Sequence, residues 1–216
     1  MTLFDRLQEE TQEQQARLNS LPLIRHGLKG DISKQQYIAF LTEAYHHVKH
    51  TVPLMMACGY NLIDKARWVQ DFMAGYIREE IGHEQWILND IEAAGGDADL
   101  AKTARPSAAC EIMVSYAYDT INRVNAYGFF GMIFVLEGTS VQLASHAAEA
   151  IQKKLQLPDA AFIYLTSHGE IDQEHIVFLQ TLLNKVEKQA DKDWIVHTAK
   201  RFFKLYGDIF NEIWQA

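Results

Sequence analysis

The segment AFIYLTSHGEIDQEHIVFLQTLLNKV, residues 161–186, indicates most clearly how this chain folds and where its chemistry lies. Apolar residues recur in it at steps of four and three residues, which is the spacing of one buried face of an α-helix. Apolar side chains occupy most of that face, but three consecutive positions are His168, Asp172 and His175. At about 100° per residue these three lie within an arc of roughly 60°. They can therefore bind a metal from one side of the helix.

A second helix, predicted from Asp64 to Ala94, repeats this arrangement. Glu80 and His83 occupy positions where its buried face should carry apolar residues, whereas Glu79 lies off that face. An ionised carboxylate in a helical core is costly unless it is paired or bound to a metal. The rest of the face is Val69, Met73, Tyr76, Ile87 and Ile91.

A third helix, predicted over residues 126–155, is the most apolar of the chain. Glu137 is the only charged residue in its segment GFFGMIFVLEGTSVQLA, residues 128–144, and such a carboxylate needs a cation. The three helices together offer three carboxylates and three imidazoles, a set that suits iron or manganese better than zinc and is large enough for two ions. The alternative is that all six residues are hydrogen-bonded parts of a core, as single buried histidines often are.

The helical period dominates the rest of the chain, and no alternating strand pattern appears. The predicted N-caps are Thr2, Asp31 or Ser33, and Ser107. Pro53 is predicted to kink or end a helix and Pro158 to break one, and the longest predicted loop is GGDADLAKTARP, residues 95–106. We therefore predict one all-α domain over residues 1–216, a bundle of seven to eight helices. The predicted helices cover about 2–18, 22–28, 31–53, 64–94, 107–125, 126–155, 160–189 and 191–214.

The composition limits the possible functions. The 216 residues are 48% hydrophobic, enough for a sizeable core, and carry a formal net charge of −8 with no Lys/Arg-rich run, which argues against a nucleic-acid partner. Cys58 and Cys110 are the only cysteines, so we expect neither a disulfide framework nor a cysteine zinc site. The N-terminus is unlike a secretory signal and no apolar run reaches transmembrane length, so we expect a cytoplasmic protein without a membrane partner.

Several residues near the candidate ligands are predicted to line a substrate pocket. Helix 31–53 places His47 near the edge of its buried face, and three aromatic or sulfur side chains lie on the ligand-bearing helices. An aromatic stripe on the last helix is predicted to be core or a dimer interface; it consists of Phe202, Phe203, Tyr206 and Phe210. The predicted pocket residues are Tyr45, His47, Met73, Tyr76 and Phe134.

Most of the chain, about residues 21–183, resembles the haem-oxygenase-like superfamily, which includes the TenA thiaminases and the PQQ-synthesis oxidase PqqC. The stretch LPLIRHGLKGDISKQQYIAFLTEAYHHV, residues 21–48, is similar to a block of that superfamily in which a short helix, a glycine and a cap precede an aromatic-rich helix. The ligand set resembles, in residue type and order, that of the haem-oxygenase-like di-iron oxidases, and its short Glu–His spacing is closest to the UndA-like form. That set is Glu80-x-x-His83, Glu137 and His168-x3-Asp172-x2-His175.

This resemblance implies a haem-oxygenase-like fold and an O2-activating oxidase or oxygenase. The six residues would bind two non-haem iron ions, with manganese as a possible substitute, and would carry the catalysis. Besides O2, the implied partner is a small-molecule substrate: a small organic acid, an amino acid or a fatty acid. Analogy and the aromatic last helix also predict a homodimer.

Two other functions compete with this one. The first is a metal-independent enzyme of cofactor synthesis, of the TenA or PqqC kind, which would bind an aromatic heterocycle. TenA thiaminases, however, need a cysteine on the helix where this chain has Glu137, and Cys110 lies on an earlier helix. A haem oxygenase would place its proximal histidine near the N-terminus, where His26 is a poor candidate. The second is a binding or regulatory helical protein without enzymatic activity.

Overall fold

The computed structural model describes the backbone of residues 1–216 and every side chain except those of Glu170, Ile171 and Gln173. Across this backbone there are helices and no strands, so the predicted all-α class is confirmed. The helices are α1 (Leu3–Glu10), α2 (Gln12–Asn19), α3 (Pro22–Gly27), α4 (Lys34–Val48), α5 (Thr51–Asn61), α6 (Trp68–Glu80), α7 (His83–Ala93), α8 (Ala98–Thr103), α9 (Ala108–Asp119), α10 (Phe129–Leu155), α11 (Ile163–Leu183) and α12 (Gln189–Gln215). A π-helical turn spans Thr120–Val124, and 3₁₀ turns span Ala126–Gly128 and Asp159–Ala161.

Side-chain caps begin several of these helices at the predicted residues. Ser33 Oγ accepts a hydrogen bond from Gln36 N at 3.1 Å, and Gln36 Oε1 accepts one from Ser33 N at 2.9 Å. Thr2 and Asp5 form the same reciprocal pair at the start of α1, and Ser107 Oγ accepts from Cys110 N at the start of α9. Each cap satisfies N–H groups that the first turn of a helix leaves unpaired.

The helices are more numerous than the seven to eight predicted, because several predicted helices are interrupted. The predicted helix 2–18 is divided at Thr11, and the predicted helix 31–53 ends at Val48 before α5 begins. Pro53 lies in the first turn of α5 and does not end a helix, since a first turn needs no N–H from that residue. The predicted loop after residue 95 contains the short helix α8.

The predicted helix 64–94 is also divided, at a position that matters for the site. It begins at Trp68, and α6 ends at Glu80, after which Ile81 is extended and Gly82 has φ +95°. Glycine adopts this left-handed conformation without steric cost, and other residues rarely do. The predicted face nevertheless stays buried across the break; its members are Val69, Met73, Tyr76, Glu80, His83, Ile87 and Ile91.

The centre of the fold is α10, which packs against both α11 and α12. At Gly131 the contact with α12 is so close that a Cβ atom there would overlap Thr198 and Ala199. The aromatic stripe on α12 belongs to this core: Phe202, Phe203 and Phe210 are buried. The stripe therefore lies inside the chain, and the homodimer stays a prediction.

The expectation that no apolar run reaches transmembrane length was wrong for one segment. By length and composition, the helical stretch Ala126–Leu155 could cross a membrane. In this fold, however, 61% of its most apolar window is buried inside the protein. That is how the central helix of a packed bundle behaves, because its apolar surface is covered by other helices.

Candidate metal centre

Glu80 and His83 lie on either side of the break between α6 and α7. Both are buried, and His83 Nδ1 lies 3.1 Å from Glu80 Oε2. Glu80 ends α6 and His83 begins α7, so the conformation of Ile81 and Gly82 sets how the two side chains meet. The exposed side chain of Ile81 shows that the turn directs the intervening residue outward while both polar residues face the interior.

The other three-residue motif lies on one continuous helix, α11. His168 Nδ1 is 3.0 Å from Tyr164 O, a hydrogen bond in which the ring nitrogen donates and which leaves Nε2 free to bind a metal. One turn further on, Asp172 is buried, and its Oδ1 lies 3.3 Å from the Nδ1 atom of His175. The helix thus presents a histidine, an aspartate and a histidine toward the same interior space.

Asp90 fixes the start of α11 against α7. It is fully buried, and its Oδ2 accepts a hydrogen bond from Tyr164 N at 2.8 Å. Burial raises the pKa of Asp90 to about 6, although hydrogen bonds from the backbone of Tyr164 and Ile163 oppose this shift. Because Asp90 lies two turns after His83 and Tyr164 one turn before His168, this contact ties the two ligand-bearing helices together.

Glu137 enters the same space from the middle of α10. It is buried, and its Oε2 has no hydrogen-bond partner among the described residues. Burial raises the pKa of Glu137 well above its usual value, and the charge of Asp172 raises it further. A buried carboxyl group with an unpartnered oxygen beside a second carboxylate is an arrangement that a bound cation would relieve.

The structure brings all six candidate residues together in two groups of three. Glu80, His83 and His168 form one group, and Glu137, Asp172 and His175 form the other; within each, the possible ligand atoms lie within 4.8 Å of one another. The groups adjoin, because His175 Nδ1 is 3.6 Å from Glu80 Oε1 and the rings of His83 and His168 are centred 4.8 Å apart. Two adjoining triads of nitrogen and oxygen donors fit two metal ions, and this donor set without thiolate suits iron.

The ionisable groups of the site shift one another's pKa values. Burial raises the pKa of Glu80, but the adjacent His83 and the two other site histidines lower it below the usual value overall. Burial alone would lower the pKa of His175, yet the nearby carboxylates of Asp172 and Glu79 raise it overall. The pKa of His168 is lowered, chiefly by burial. The ionisable groups of the site therefore lie close enough to shift one another's pKa values, in different directions for different residues.

The two groups adjoin a mostly apolar cavity of about 170 Å³. Glu80, Glu137, His168 and Asp172 line its polar part, and no lysine or arginine belongs to the described residues that line it. Its apolar part is formed largely by α10 and the region of α3; examples are Leu23, Ile24, Leu28, Leu136, Leu143 and Ile151.

Two of the five predicted pocket residues, His47 and Tyr76, line this cavity. Burial lowers the pKa of His47 to about 3, so its ring stays neutral at physiological pH, and the ring of Tyr76 packs 4.3 Å from that of His175. The structure places the other three predicted residues elsewhere, because their side chains pack against other helices or neighbouring residues. Phe134 meets Phe4 and Phe203, Met73 faces Gly59 of α5, and Tyr45 lies against His46 and Lys49.

The sequence matches the family described as iron-containing redox enzymes, of the haem-oxygenase type, over residues 38–207. This range is more than half of the chain and includes all six candidate ligands. The chain belongs to this family. No curated protein matches the sequence significantly.

Solved structures confirm the haem-oxygenase-like fold of this iron-containing redox family member. A domain of unknown function with that fold from Shewanella denitrificans has a TM-score of 0.89 and 24% identity, and the match covers 100% of this chain and 93% of that one. A TenA homologue from Pseudomonas syringae pv. tomato has a TM-score of 0.81, 12% identity and coverages of 99% and 93%. A CADD-like protein of unknown function from Nostoc punctiforme has a TM-score of 0.77, 16% identity and coverages of 98% and 97%. At these identities the likeness concerns the fold alone.

Several residues that surround the site in this family member were not predicted from the sequence. Glu79 contacts His175, Trp86 stacks on the ring of His83 with centroids 4.0 Å apart, and Tyr164 and Tyr206 line the cavity. The periodicity gave a usable signal for Tyr164, which lies one turn before His168 on α11. It gave none for Glu79, since a residue off the buried face can still reach across to a neighbouring helix when its side chain is long.

Proposed function

We propose that this member of the iron-containing redox family is a non-haem di-iron enzyme that activates O2 and oxidises a small organic acid. The proposal rests on one observation. Two groups of three nitrogen and oxygen donors adjoin each other beside an apolar cavity, and five of the six donor residues are buried. Glu80, His83 and His168 would hold one ion, and Glu137, Asp172 and His175 the other. When bound, iron would supply the electrons that reduce O2 and would then oxidise the substrate.

The surrounding residues support this chemistry by excluding water and by orienting groups. The apolar wall of α10 keeps the reacting centre dry, which strengthens every electrostatic interaction within it. Neutral His47 can accept or donate a hydrogen bond without adding charge, since its pKa is far below neutral pH. Tyr164 and Tyr206 add two further hydroxyl-bearing side chains to the cavity wall, where they can hold the polar part of a substrate.

A non-haem site is favoured over a haem site by the position of His26. This histidine, the one nearest the N-terminus, is exposed and stacks on Trp214 with ring centroids 4.8 Å apart. It does not belong to the described residues that line the cavity. The lining instead includes three carboxylates, which suit iron ions directly and would oppose the two propionate groups of a haem.

The cavity favours one of the three substrate classes that the resemblance implies. Either kind of acid could place its carboxylate on the bound metal, since the described lining residues include no lysine or arginine, but an amino acid would also bring an ammonium group close to that cationic centre. An aliphatic acid needs a cation at one end only, which the bound metal would provide, and apolar contacts along the rest of its length. We therefore propose an aliphatic carboxylic acid, of the fatty-acid class, as the substrate.

Metal content and reaction with O2 test the proposal. Purified protein loaded anaerobically with ferrous iron should bind two ions per chain by elemental analysis. Exposure to O2 should then give a transient visible absorption, which His175→Ala should abolish because it removes a ligand of one ion. Failure to bind stoichiometric iron at micromolar protein concentration would contradict the di-iron site.

The metal-independent alternative makes the opposite prediction about chelators. Glu137 with its raised pKa and neutral His47 are groups that could act as acid and base on a bound heterocycle, as the TenA or PqqC kind of enzyme would require. Such an enzyme would keep full activity in excess chelator. The di-iron enzyme would lose its activity there and regain it when ferrous iron is restored.

A further inference from the structure

Glu79 contacts the outer side of the six-residue site. It is the penultimate residue of α6 and its side chain is 56% exposed, yet its Oε2 lies 2.8 Å from His175 Nε2. Because an ionised carboxylate can only accept hydrogen bonds, Nε2 of the ring is the donor. A surface carboxylate is thus bonded to a histidine ring that is itself almost completely buried.

The opposite nitrogen of the same ring faces the interior carboxylates. His175 Nδ1 lies 3.3 Å from Asp172 Oδ1, 3.6 Å from Glu80 Oε1 and 3.7 Å from Glu137 Oε1. This atom is buried and has no well-oriented hydrogen-bond partner among the described residues. The ring therefore spans the wall of the site, with Nε2 directed to Glu79 and Nδ1 directed to the candidate ligands.

We propose that Glu79 is a positioning residue that makes Nδ1 the metal-binding atom of His175. The inference rests on the proposed metal site, because it assigns a role to an atom that would bind an ion there. Histidines that bind metals commonly donate their other N–H to a carboxylate or a carbonyl, which fixes the tautomer and strengthens the ligand. Glu79 is the carboxylate that fits this role for His175.

His168, the other site histidine of α11, presents the opposite ring nitrogen to the site. His168 donates Nδ1–H to the carbonyl of Tyr164 and so has Nε2 left for the metal. The two histidines of one helix therefore present different ring nitrogens to the site, because His168 donates to a carbonyl of its own helix and His175 to a carboxylate of α6. Tyr76 packs against the same imidazole, with ring centroids 4.3 Å apart, so the His175 ring is held by an aromatic contact as well as by Glu79.

Metal titrations of three variants separate this role from a general effect of surface charge. Glu79→Ala removes the acceptor, Glu79→Gln keeps an oxygen acceptor without the charge, and Glu174→Gln removes an exposed charge next to His175 in sequence. Cobalt(II) is the probe, because its visible absorption reports each binding step anaerobically. We expect Glu79→Ala to weaken one of the two binding steps by about 10–100-fold. Glu79→Gln should weaken it less, and Glu174→Gln should leave both steps unchanged.

A second measurement reports the ring nitrogen directly. In zinc-loaded protein labelled with ¹⁵N-histidine, His175 should carry its proton on Nε2 and its metal on Nδ1, and Glu79→Ala should lose that signature. Equal cobalt affinities in wild type and Glu79→Ala, with two ions bound, would overturn the role of Glu79 alone. A wild type that binds no metal would overturn the proposed function and this inference together. Thermal unfolding of the metal-free variants checks that each is folded, and a variant that loses stability but no metal affinity also overturns the inference.

Discussion

At the scale of single residues, Asp90 has an unusual environment for an acid. Its carboxyl group is fully buried between α7 and the first turn of α11, and it accepts a hydrogen bond from Tyr164 N. Burial disfavours the ionised form more than this hydrogen bond favours it, so the pKa rises to about 6. The folded protein therefore binds a proton at Asp90 over a pH range in which the unfolded chain has released it.

This difference predicts how stability depends on pH. The folded-state pKa of about 6 lies above the ordinary value of 3.8, so the contribution of Asp90 is greatest below pH 4 and is lost as the pH rises through 6. The full loss is about 3 kcal/mol, because each unit of difference between the folded and unfolded pKa values corresponds to about 1.4 kcal/mol. Asp90→Asn keeps an oxygen acceptor for Tyr164 N and cannot ionise. We expect the free energy of unfolding of wild type, relative to that of Asp90→Asn, to fall by about 2.5 kcal/mol between pH 4 and 7.5, since at pH 4 the unfolded chain has already released part of this proton.

Urea unfolding of both proteins across this range measures the effect. Taking the difference between the two proteins removes the titration of every group that they share. A difference that does not change with pH would show that Asp90 titrates as an ordinary aspartate. A rising difference would show that the backbone hydrogen bonds, which favour the carboxylate, outweigh the effect of burial.

The same scale shows what periodicity can and cannot predict about side chains. It correctly predicted that Glu80, and not Glu79, is buried, because helical spacing determines the direction of each Cβ atom. It did not predict that Glu79 reaches His175, since that contact depends on the length of the side chain and the distance to α11. Phe134 was predicted for the pocket but packs on Phe4 and Phe203, because a face of α10 can be buried without facing the cavity.

At the scale of helices, the break between α6 and α7 has the largest consequence for the site. The sequence pattern predicted the buried face of this region correctly but gave one continuous helix. Gly82 is the reason for the difference, since its φ of +95° cannot be inferred from its type alone. Gly75 lies inside α6 with ordinary helical geometry, so a glycine in a helical pattern can either continue or interrupt the helix.

A pair of glycine substitutions tests the break. An alanine Cβ at position 82 would meet no atom within 4 Å, so Gly82→Ala should be destabilising only through the left-handed backbone, by about 1–2 kcal/mol. Gly75→Ala is the matched control: its Cβ would also meet no atom within 4 Å, but alanine should stabilise α6 by about 0.5–1 kcal/mol. Gly82→Ala should also weaken metal binding, because Glu80 and His83 lie on either side of it.

Chemical unfolding and cobalt titration measure these two effects separately. The expected result is a change of opposite sign in the free energy of unfolding for the two variants, with weaker metal binding in Gly82→Ala alone. If Gly82→Ala were as stable as Gly75→Ala, the region would be able to form the continuous helix that the pattern predicted. The geometry of the Glu80–His83 pair would then not depend on the left-handed turn.

At the scale of the whole molecule, the six candidate ligands join distant parts of the chain. The α6–α7 break, the middle of α10 and the length of α11 each contribute, and outside the site α10 already packs against α11 and α12. Without a metal, the site places Glu137 beside Asp172 with burial raising the pKa of Glu137, a cost within the core of the bundle. Bound ions would both offset this cost and connect the three regions.

We therefore expect metal binding to stabilise the whole chain. A ligand that binds only the folded state, present at 100 times its dissociation constant, adds about 2.7 kcal/mol. For a protein of this size that corresponds to a rise of roughly 5–10 °C in the unfolding midpoint. Differential scanning fluorimetry with anaerobic ferrous iron or with manganese(II) measures the shift, and excess chelator should reverse it.

Two substitutions on α10 distinguish this linkage from a general effect of metal ions on an acidic protein. Glu137→Gln removes a buried ligand, so the metal-free protein should be at least as stable as wild type while the metal-induced shift falls sharply. Glu149→Gln is the same substitution at an exposed position of the same helix and should retain the full shift. Equal shifts in the two variants would mean that metal ions act at the surface. Loss of the metal-induced shift in Glu137→Gln alone would place the stabilising ion in the interior. The variant would then keep the stability of the metal-free protein and lose only the stabilisation by metal, as expected when a buried ligand is removed.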